Sequence, residues 1–182
     1  DTDIVTGRHL TKIPKAVEEV CQSLDYTPSA VMICITCVDA LLGTDMDRVC
    51  RKSSDRAGVP VVPCYMYALT REKRLPPMAS VRKSVYSLLK PRKRKSDEVN
   101  ILGYFSPLQD DCELYSLLKS AGVKTIRELS RCDTFEEYEK MSQANFSLVL
   151  NAEARYAAQQ MEQELNIPFI ELARVFQADK IS

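Results

Sequence analysis

Hydrophobic residues recur along the chain in two spacings, one typical of helices and the other typical of buried strands. In residues 12–24 they return at helical spacing, which predicts an amphipathic helix with one face toward a core. Residues 31–36 form a short continuous apolar run instead, and such runs suit a strand that is buried on both faces of a parallel sheet. Residues 39–57 are then expected to form one helix that ends at Gly58.

Strand-like and helix-like segments continue to alternate through the rest of the chain. Thr134 and Glu137 match a capping box at the start of an acidic helix, 135–144. Further strands are predicted at 59–65, 99–104, 123–129, 146–150 and 168–172, and further helices at 78–89, 110–120 and 152–165. This order predicts an α/β fold of parallel sheets with helices on both faces, organised as Rossmann-like or flavodoxin-like halves.

A basic segment near the middle of the chain is the one plausible seam between two such halves. Five of the six residues in 90–95 are lysine or arginine. We therefore predict a first α/β half at 1–89, a basic linker at 90–98 and a second Rossmann-like half at 99–182. The basic residues are interpreted as a solvated connection, or alternatively as a docking patch for an acidic partner or a polyanion.

Composition excludes several classes of function. The 25 basic residues balance 25 acidic ones, which argues against a nucleic-acid partner. No apolar run reaches the ~18 residues of a membrane span, so no membrane partner is expected. The seven cysteines are odd in number and several lie in apolar runs, which favours a reducing, cytoplasmic location over a secreted disulfide scaffold. The single histidine, His9, is expected in a loop or at a strand end, and a multi-histidine zinc site is excluded.

Cys37 is the most reactive group that the pattern places at a favourable position. Ligands of open α/β sheets bind beyond the carboxyl ends of the strands, and Cys37 follows the predicted strand 31–36 directly. A helix that begins there would stabilise a thiolate, as a nucleophile, a redox couple or an iron–sulfur ligand requires. Cys34 completes a C-x-x-C but lies within the strand, so its side chain is expected to point into the sheet face. Inert packing is the alternative for both cysteines.

Four segments, in order, are similar to nitrogenase component 1 proteins. Residues 35–46, ITCVDALLGTDM, resemble the threonine-cysteine segment of that family, which continues through apolar residues to a glycine and two aspartates. Residues 59–64 and 99–104 resemble two of the family's strands, and 154–171 is similar to a helix and the strand that follows it in the α-type subunits. The similarity covers nearly the whole chain.

The resemblance implies a function for the protein that contains this chain. Members of the family are oxidoreductases or cofactor scaffolds built from several Rossmann-like domains. Paired homologous subunits share an iron–sulfur cluster, and an ATP-dependent iron protein supplies electrons. By position, Cys37 matches a cluster-ligating cysteine and is therefore the expected cofactor-binding and metal-binding residue. Cys64 matches a family cysteine that is not generally a ligand.

The same resemblance implies that this chain is an internal fragment. The family's other cluster cysteines lie upstream of Asp1, and its later cofactor ligands belong to a further domain, so the chain alone is expected to be inactive and to retain no cluster. Residues 72–76 contain no counterpart of the histidine found in nitrogenase α subunits, which argues against a dinitrogen reductase. The substrate of the parent oxidoreductase is left open.

Two other functions remain open at this point. The first is a non-catalytic scaffold of the same fold that holds a metallocluster or a tetrapyrrole, because fold alone does not determine function. The second is a flavodoxin-like or dithiol redox module in which Cys34 and Cys37 form a reversible disulfide. A disulfide between these two residues would require distortion of the strand if Cys34 is buried in the sheet.

Overall fold

The computed structural model describes residues 7–66 and 75–172, and the chain divides into two compact units, Asp1–Ser84 and Val85–Ser182. Both units are built from parallel strands flanked by helices, so the predicted α/β class is confirmed. Within the described ranges, no helix is both long enough and apolar enough to cross a bilayer. The boundaries predicted around residues 90–98 stay a prediction.

The first unit contains a pair of parallel strands between helices. Val31 pairs with Val61 and Cys34 with Cys64 in the register of the two strands. His9 begins the first helix instead of lying in a loop or at a strand end, and its side chain lies outside the described residues. The elements are α1 (His9–Ser23), β1 (Val31–Ile35), α2 (Cys37–Leu41), α3 (Met46–Ala57) and β2 (Val61–Tyr65), and α4 (Pro77–Tyr86) crosses the division between units.

Alternate residues of β1 supply the core of this unit. Ile33 and Ile35 pack toward the apolar faces of α1 and α3, where Val17, Val49 and Cys50 are buried. Cys34 belongs to the alternate set of positions and is exposed. The prediction that the whole run is buried on both faces is therefore wrong at Cys34, because the helices of this unit cover the opposite side of the strand.

The single helix predicted for 39–57 is in fact two helices. Gly43 adopts a left-handed backbone with φ of 65°, which ends the first helix and redirects the chain. Asp45 then caps α3, since its carboxylate accepts a 2.9 Å hydrogen bond from the Arg48 backbone N–H. The far end agrees with the prediction, because Gly58 is left-handed and donates its N–H to the Ser54 carbonyl.

The second unit is a four-stranded parallel sheet in the order β4-β3-β5-β6. The first strand of the unit therefore lies inside the sheet, and the chain adds β4 on one side of it and the later strands on the other. The elements are β3 (Glu98–Leu102), α5 (Glu113–Ser120), β4 (Thr125–Glu128), α6 (Phe135–Glu139), β5 (Phe146–Val149), α7 (Arg155–Leu165) and β6 (Phe169–Glu171).

Hydrophobic clusters cover both faces of this sheet, as the continuous apolar strands predicted. On one face Val99, Ile101 and Leu148 pack with Leu118 of α5. On the other face Leu102 and Val149 belong to a larger cluster with α6 and α7, whose buried members include Tyr138, Met141, Ala157, Ala158 and Met161. Small alanines on α7 allow this helix to approach the sheet closely.

Local capping agrees with the sequence except in one contact. Thr134 accepts a 3.2 Å hydrogen bond from the Glu137 backbone N–H, as the capping box requires. The Glu137 carboxylate accepts its return bond from the Asp133 N–H instead of the Thr134 N–H. The α-helix ends at Glu139 and continues as a 3₁₀-helix, Lys140–Gln143, so the predicted 135–144 helix changes type at its middle.

The basic segment is exposed but is attached to the second unit. Arg92 forms a 2.7 Å ion pair with Glu139. Arg94 donates to the carbonyl oxygens of Asn145 and Asn166, and Lys95 pairs with Glu98 at 2.7 Å. These contacts attach three of the basic side chains to the second unit: Arg92 to the end of α6, Arg94 to residues just before β5 and just after α7, and Lys95 to the first residue of β3.

Glu98 is expected to make the stability of this unit depend on acid pH. Burial raises the pKa of Glu98, but pairing with Lys95 and Arg127 lowers it by a larger amount, so the net shift is downward. A depressed folded pKa means that Glu98 stabilises the fold above its unfolded pKa of about 4.3, and that this contribution is lost as the pH falls through the folded pKa. Urea unfolding of wild type and Glu98→Gln between pH 7 and pH 3 measures this effect.

We expect the difference in stability between these two proteins to shrink as the pH falls into that acid range. The matched control is Glu162→Gln on the exposed side of α7. A difference between wild type and Glu98→Gln that stays constant from pH 7 to pH 3 would contradict the role given to the Glu98 carboxylate.

Candidate functional site

Cys37 lies at the carboxyl end of β1, where the sequence predicted it. Only Thr36 separates it from the strand, and its side chain is exposed as the first residue of α2. The helix that starts there is five residues long, because the chain turns at Gly43. A helix therefore begins at Cys37, as the sequence predicted, but it is much shorter than the predicted helix 39–57. What distinguishes Cys37 is its exposure at the strand end.

An exposed apolar surface surrounds this thiol. Val38, Leu41 and Leu42 are 49%, 68% and 46% exposed, and their spacing of three and four residues places them on one side of α2. Met66, just after β2, is also exposed, and its backbone N–H donates to the Ile35 carbonyl at 3.2 Å. A cluster of exposed large apolar side chains is typical of an interaction surface.

The donors near Cys37 suit part of a cluster site. A thiolate is the ligand that iron–sulfur clusters use, and such clusters take about four of them. In residues 7–66 and 75–172, no group of three or more histidine, cysteine or carboxylate side chains is arranged to hold a metal ion. Cys37 therefore fits a single ligand position in a site completed by other residues, and it does not fit a complete site. Residues 72–74, where the family's histidine would be sought, lie outside the described residues.

The sequence predicted that the Cys34 side chain points into a buried sheet face, and the structure contradicts this expectation. The Cys34 side chain is exposed, whereas Cys64, its partner in the register of β1 and β2, is buried. Burial, followed by the contact with Cys34, raises the pKa of the Cys64 thiol. The structure thus gives Cys34 a cysteine neighbour that the C-x-x-C spacing did not indicate.

Two of the remaining cysteines behave as small hydrophobic residues, although neither lies in an apolar run of the sequence. Cys50 is buried in α3, and burial together with the nearby Asp47 raises the pKa of its thiol to about 11. Burial also raises the pKa of Cys132, which packs against the larger core cluster of the second unit. A buried thiol with a raised pKa is a poor nucleophile toward external reagents at neutral pH.

A second location of interest is the carboxyl end of β3, where the order of strands changes direction. In open α/β sheets the crevice at such a switch point is the usual place for a ligand. Gly103 and Asn151 meet there, because a Cβ built on Gly103 would lie 2.9 Å from the Asn151 backbone nitrogen. Tyr104 and Phe105 follow Gly103 and are exposed. This strand end therefore offers exposed aromatic surface.

A polar cleft of about 270 Å³ beside β4 was not indicated by the sequence. The Glu128 carboxylate is buried there and accepts hydrogen bonds from the Tyr115 hydroxyl and from the Leu108 backbone N–H. Arg131 joins the same carboxylate at 3.2 Å and pairs with Asp110 at 2.7 Å. The side chains of Tyr115, Glu128 and Arg131 thus satisfy one another, and Lys119 and Lys124 also line the cleft.

The described residues form an α/β protein with parallel sheets, and ligands of open sheets of this class bind beyond the carboxyl ends of the strands. The family model for nitrogenase component 1 type oxidoreductases matches residues 1–181. The chain belongs to this family, which confirms the resemblance seen in residues 35–46 and in the later segments.

Curated relatives agree with this assignment. The chain is 28% identical over 173 residues to the nitrogenase iron-molybdenum cofactor biosynthesis protein NifE of Rhizobium meliloti, covering 93% of the chain and 36% of the relative. It is 26% identical over 178 residues to the nitrogenase molybdenum-iron protein alpha chain of Methanosarcina barkeri, covering 94% of the chain and 33% of that relative. The chain thus spans about a third of the length of these relatives.

A solved structure shows the same fold. Nitrogenase Cp1 at pH 6.5 superposes with a TM-score of 0.67 over 94% of the chain and 33% of that structure, at 24% sequence identity. At this level of identity the likeness concerns the fold alone.

Proposed function

We propose that this chain is the Cys37 region of a nitrogenase component 1 type subunit that holds a metallocluster at the contact with a homologous subunit. Cys37 supplies one thiolate ligand to an iron–sulfur cluster, and further ligands come from elsewhere in the complex. Such a cluster supplies one-electron transfer, so the parent protein relays electrons from an ATP-dependent iron protein to its substrate.

The exposure of Cys37 within an apolar surface is the observation that carries this proposal. A lone inert cysteine would be stable in the core, as Cys50 is. Cys37 is exposed beside Val38, Leu41 and Leu42, whose apolar side chains would be removed from water in an interface. Contact with a second subunit would also exclude water from the thiolate and bring its remaining ligands near.

Loss of iron from a Cys37→Ala variant tests the proposal. The complete protein that contains this region is purified anaerobically with its partner subunit, and iron and acid-labile sulfide are measured. We expect wild type to carry a cluster and Cys37→Ala to lose most of its iron, because a cluster of this type uses about four protein ligands.

Cys34→Ser is the matched control, since Cys34 is another exposed cysteine three positions earlier. It is expected to keep its iron. If Cys37→Ala retains as much iron and sulfide as wild type, Cys37 is not a ligand. If wild type itself carries no iron, the family relationship extends to the fold but not to the cluster.

A cofactor-assembly role is the second candidate, and the names of the relatives favour it. The relatives from Rhizobium meliloti and from Nostoc are both named as nitrogenase iron-molybdenum cofactor biosynthesis proteins. In this role the parent protein holds a metallocluster or a tetrapyrrole as cargo without turnover. The aromatic crevice after β3, with Tyr104 and Phe105 exposed, is the proposed contact surface for such cargo.

Electron delivery separates the two candidates. The complete protein is mixed with reduced iron protein and ATP, and oxidation of the iron protein is followed in the presence of candidate substrates. An enzyme consumes electrons continuously when substrate is present. A scaffold instead transfers its bound cluster to an acceptor protein lacking that cluster, and it shows no sustained oxidation.

A further inference from the structure

Two cysteines face each other across the pair of strands in the first unit. Cys34 of β1 and Cys64 of β2 are direct partners in the parallel register, so their side chains project from the same face of the sheet. Burial, and after it the neighbouring Cys34 thiol, raises the pKa of the Cys64 thiol. Neither cysteine is part of a disulfide in this structure, and Cys34 is exposed while Cys64 is buried.

The register satisfies the distance requirement of a disulfide. Neighbouring strands lie about 4.8 Å apart, and disulfides join residues whose Cα atoms are about 4.4–6.8 Å apart. Because the side chains of direct register partners project from the same face of the sheet, the bond can form by side-chain rotations. The backbone hydrogen bonds between β1 and β2 need not break.

We propose that Cys34 and Cys64 form a reversible dithiol–disulfide couple that joins β1 to β2 covalently beside Cys37. The exposed Cys34 thiol is the one that an external reagent reaches, and Cys64 is the resolving thiol. This couple replaces the Cys34–Cys37 pairing that the C-x-x-C spacing suggested. It is independent of any metal at Cys37.

The oxidant in this proposal is a low-molecular-weight disulfide such as oxidised glutathione. The Cys34 thiolate attacks one glutathione sulfur, which forms a mixed disulfide and releases one reduced glutathione. The Cys64 thiolate then attacks the Cys34 sulfur, forming the Cys34–Cys64 bond and releasing the second reduced glutathione. Two protons and two electrons leave the protein thiols, and together they convert one glutathione disulfide into two molecules of reduced glutathione.

Oxidation of the chain in glutathione buffers, followed by alkylation and tryptic mass spectrometry, tests this proposal. In wild type, an oxidising ratio is expected to produce a cross-linked pair of peptides, 16–48 with 57–71, and excess reduced dithiol is expected to remove it. Peptide 16–48 contains Cys21, Cys34 and Cys37, so variants identify the cysteine that is bonded.

Cys34→Ser should abolish the cross-link, and Cys37→Ser should leave it at the wild-type level. Circular dichroism shows whether both variants retain the fold, which is expected because both side chains are exposed. A cross-link that persists in Cys34→Ser, or wild type that carries only glutathione on Cys34, would overturn the assignment. So would full alkylation of wild type at every glutathione ratio.

The same variants separate this inference from the proposed cluster ligand. Loss of iron in Cys37→Ala with an intact cross-link in Cys37→Ser supports both proposals independently. The cluster proposal concerns Cys37 and the disulfide concerns Cys34 and Cys64, so one can fail while the other holds.

Discussion

Replacing Gly103 by alanine is expected to destabilise the second unit by about 3 kcal/mol, through backbone strain and a backbone clash together. Gly103 has φ of 149°, which L-residues rarely adopt, and the added Cβ would lie 2.9 Å from the Asn151 nitrogen and 3.1 Å from the Asn151 Cβ. The contact is with backbone, so no flexible side chain can move aside. Urea unfolding followed by far-ultraviolet circular dichroism measures the loss.

Gly122→Ala provides the matched control within the same unit. Gly122 also has positive φ, 92°, but a Cβ there would meet no atom within 4 Å. Its cost is therefore backbone strain alone, about 1–2 kcal/mol. Equal losses in the two variants would show that the close approach of the β3 and β5 loops contributes nothing, and that the crevice after β3 is wider than the structure indicates.

Much of the fold could be predicted because local pattern determines it. Continuous apolar runs such as those that became β1, β3 and β5 are typical of strands in a parallel sheet, and this predicted the class of fold. The capping positions at Thr134 and Gly58 were also visible, since caps depend on residues a few positions apart. The resemblance to the nitrogenase component 1 family was carried by these same segments.

The parts that could not be predicted depend on contacts between distant segments or on one backbone angle. Nothing in residues 39–57 required Gly43 to be left-handed, because an isolated glycine is tolerated inside a helical pattern. The contact of Cys34 with Cys64 depends on the pairing register of two strands about 30 positions apart in sequence, which periodicity does not report. The C-x-x-C spacing therefore could not indicate Cys64 as a neighbour of Cys34.

In the candidate site, too, one feature could be predicted from local sequence pattern and another could not. The strand-end position of Cys37 follows from local pattern, and the structure agrees with it. The exposed apolar surface around Cys37 appears only once α2 is separated from α3 by the turn at Gly43, because a continuous helix would carry Leu41 and Leu42 into a different environment. The break in the helix thus contributes to the surface on which the proposed function depends.

Asn100 is a polar residue at the centre of β3, the strand that follows the basic segment, and its hydrogen bond explains its place there. Its side chain is fully buried in β3, and its amide nitrogen donates a 2.9 Å hydrogen bond to the Met141 carbonyl. This bond attaches the 3₁₀-helix before β5 to the middle of the sheet. An aspartate has the same shape, but an ionised carboxylate would place an oxygen against the Met141 carbonyl oxygen.

We expect Asn100→Asp to be destabilised by about 4 kcal/mol at pH 7, because each pH unit above an unfolded pKa of about 3.9 costs about 1.4 kcal/mol while the buried acid stays protonated. The protonated acid can donate to Met141 as the amide does. The loss is therefore small below the unfolded pKa and grows as the pH rises. Urea unfolding at pH 4 and pH 7 measures this dependence.

Asn145→Asp is the matched control, since it makes the same chemical change next to a positive charge. Arg94 donates to the Asn145 side-chain oxygen at 2.9 Å, so an aspartate there gains an ion pair at an exposed position. That variant should keep its stability at pH 7 within about 1 kcal/mol. If Asn100→Asp loses the same stability at pH 4 as at pH 7, its cost arises from packing, and the hydrogen bond to Met141 does not hold the centre of this sheet.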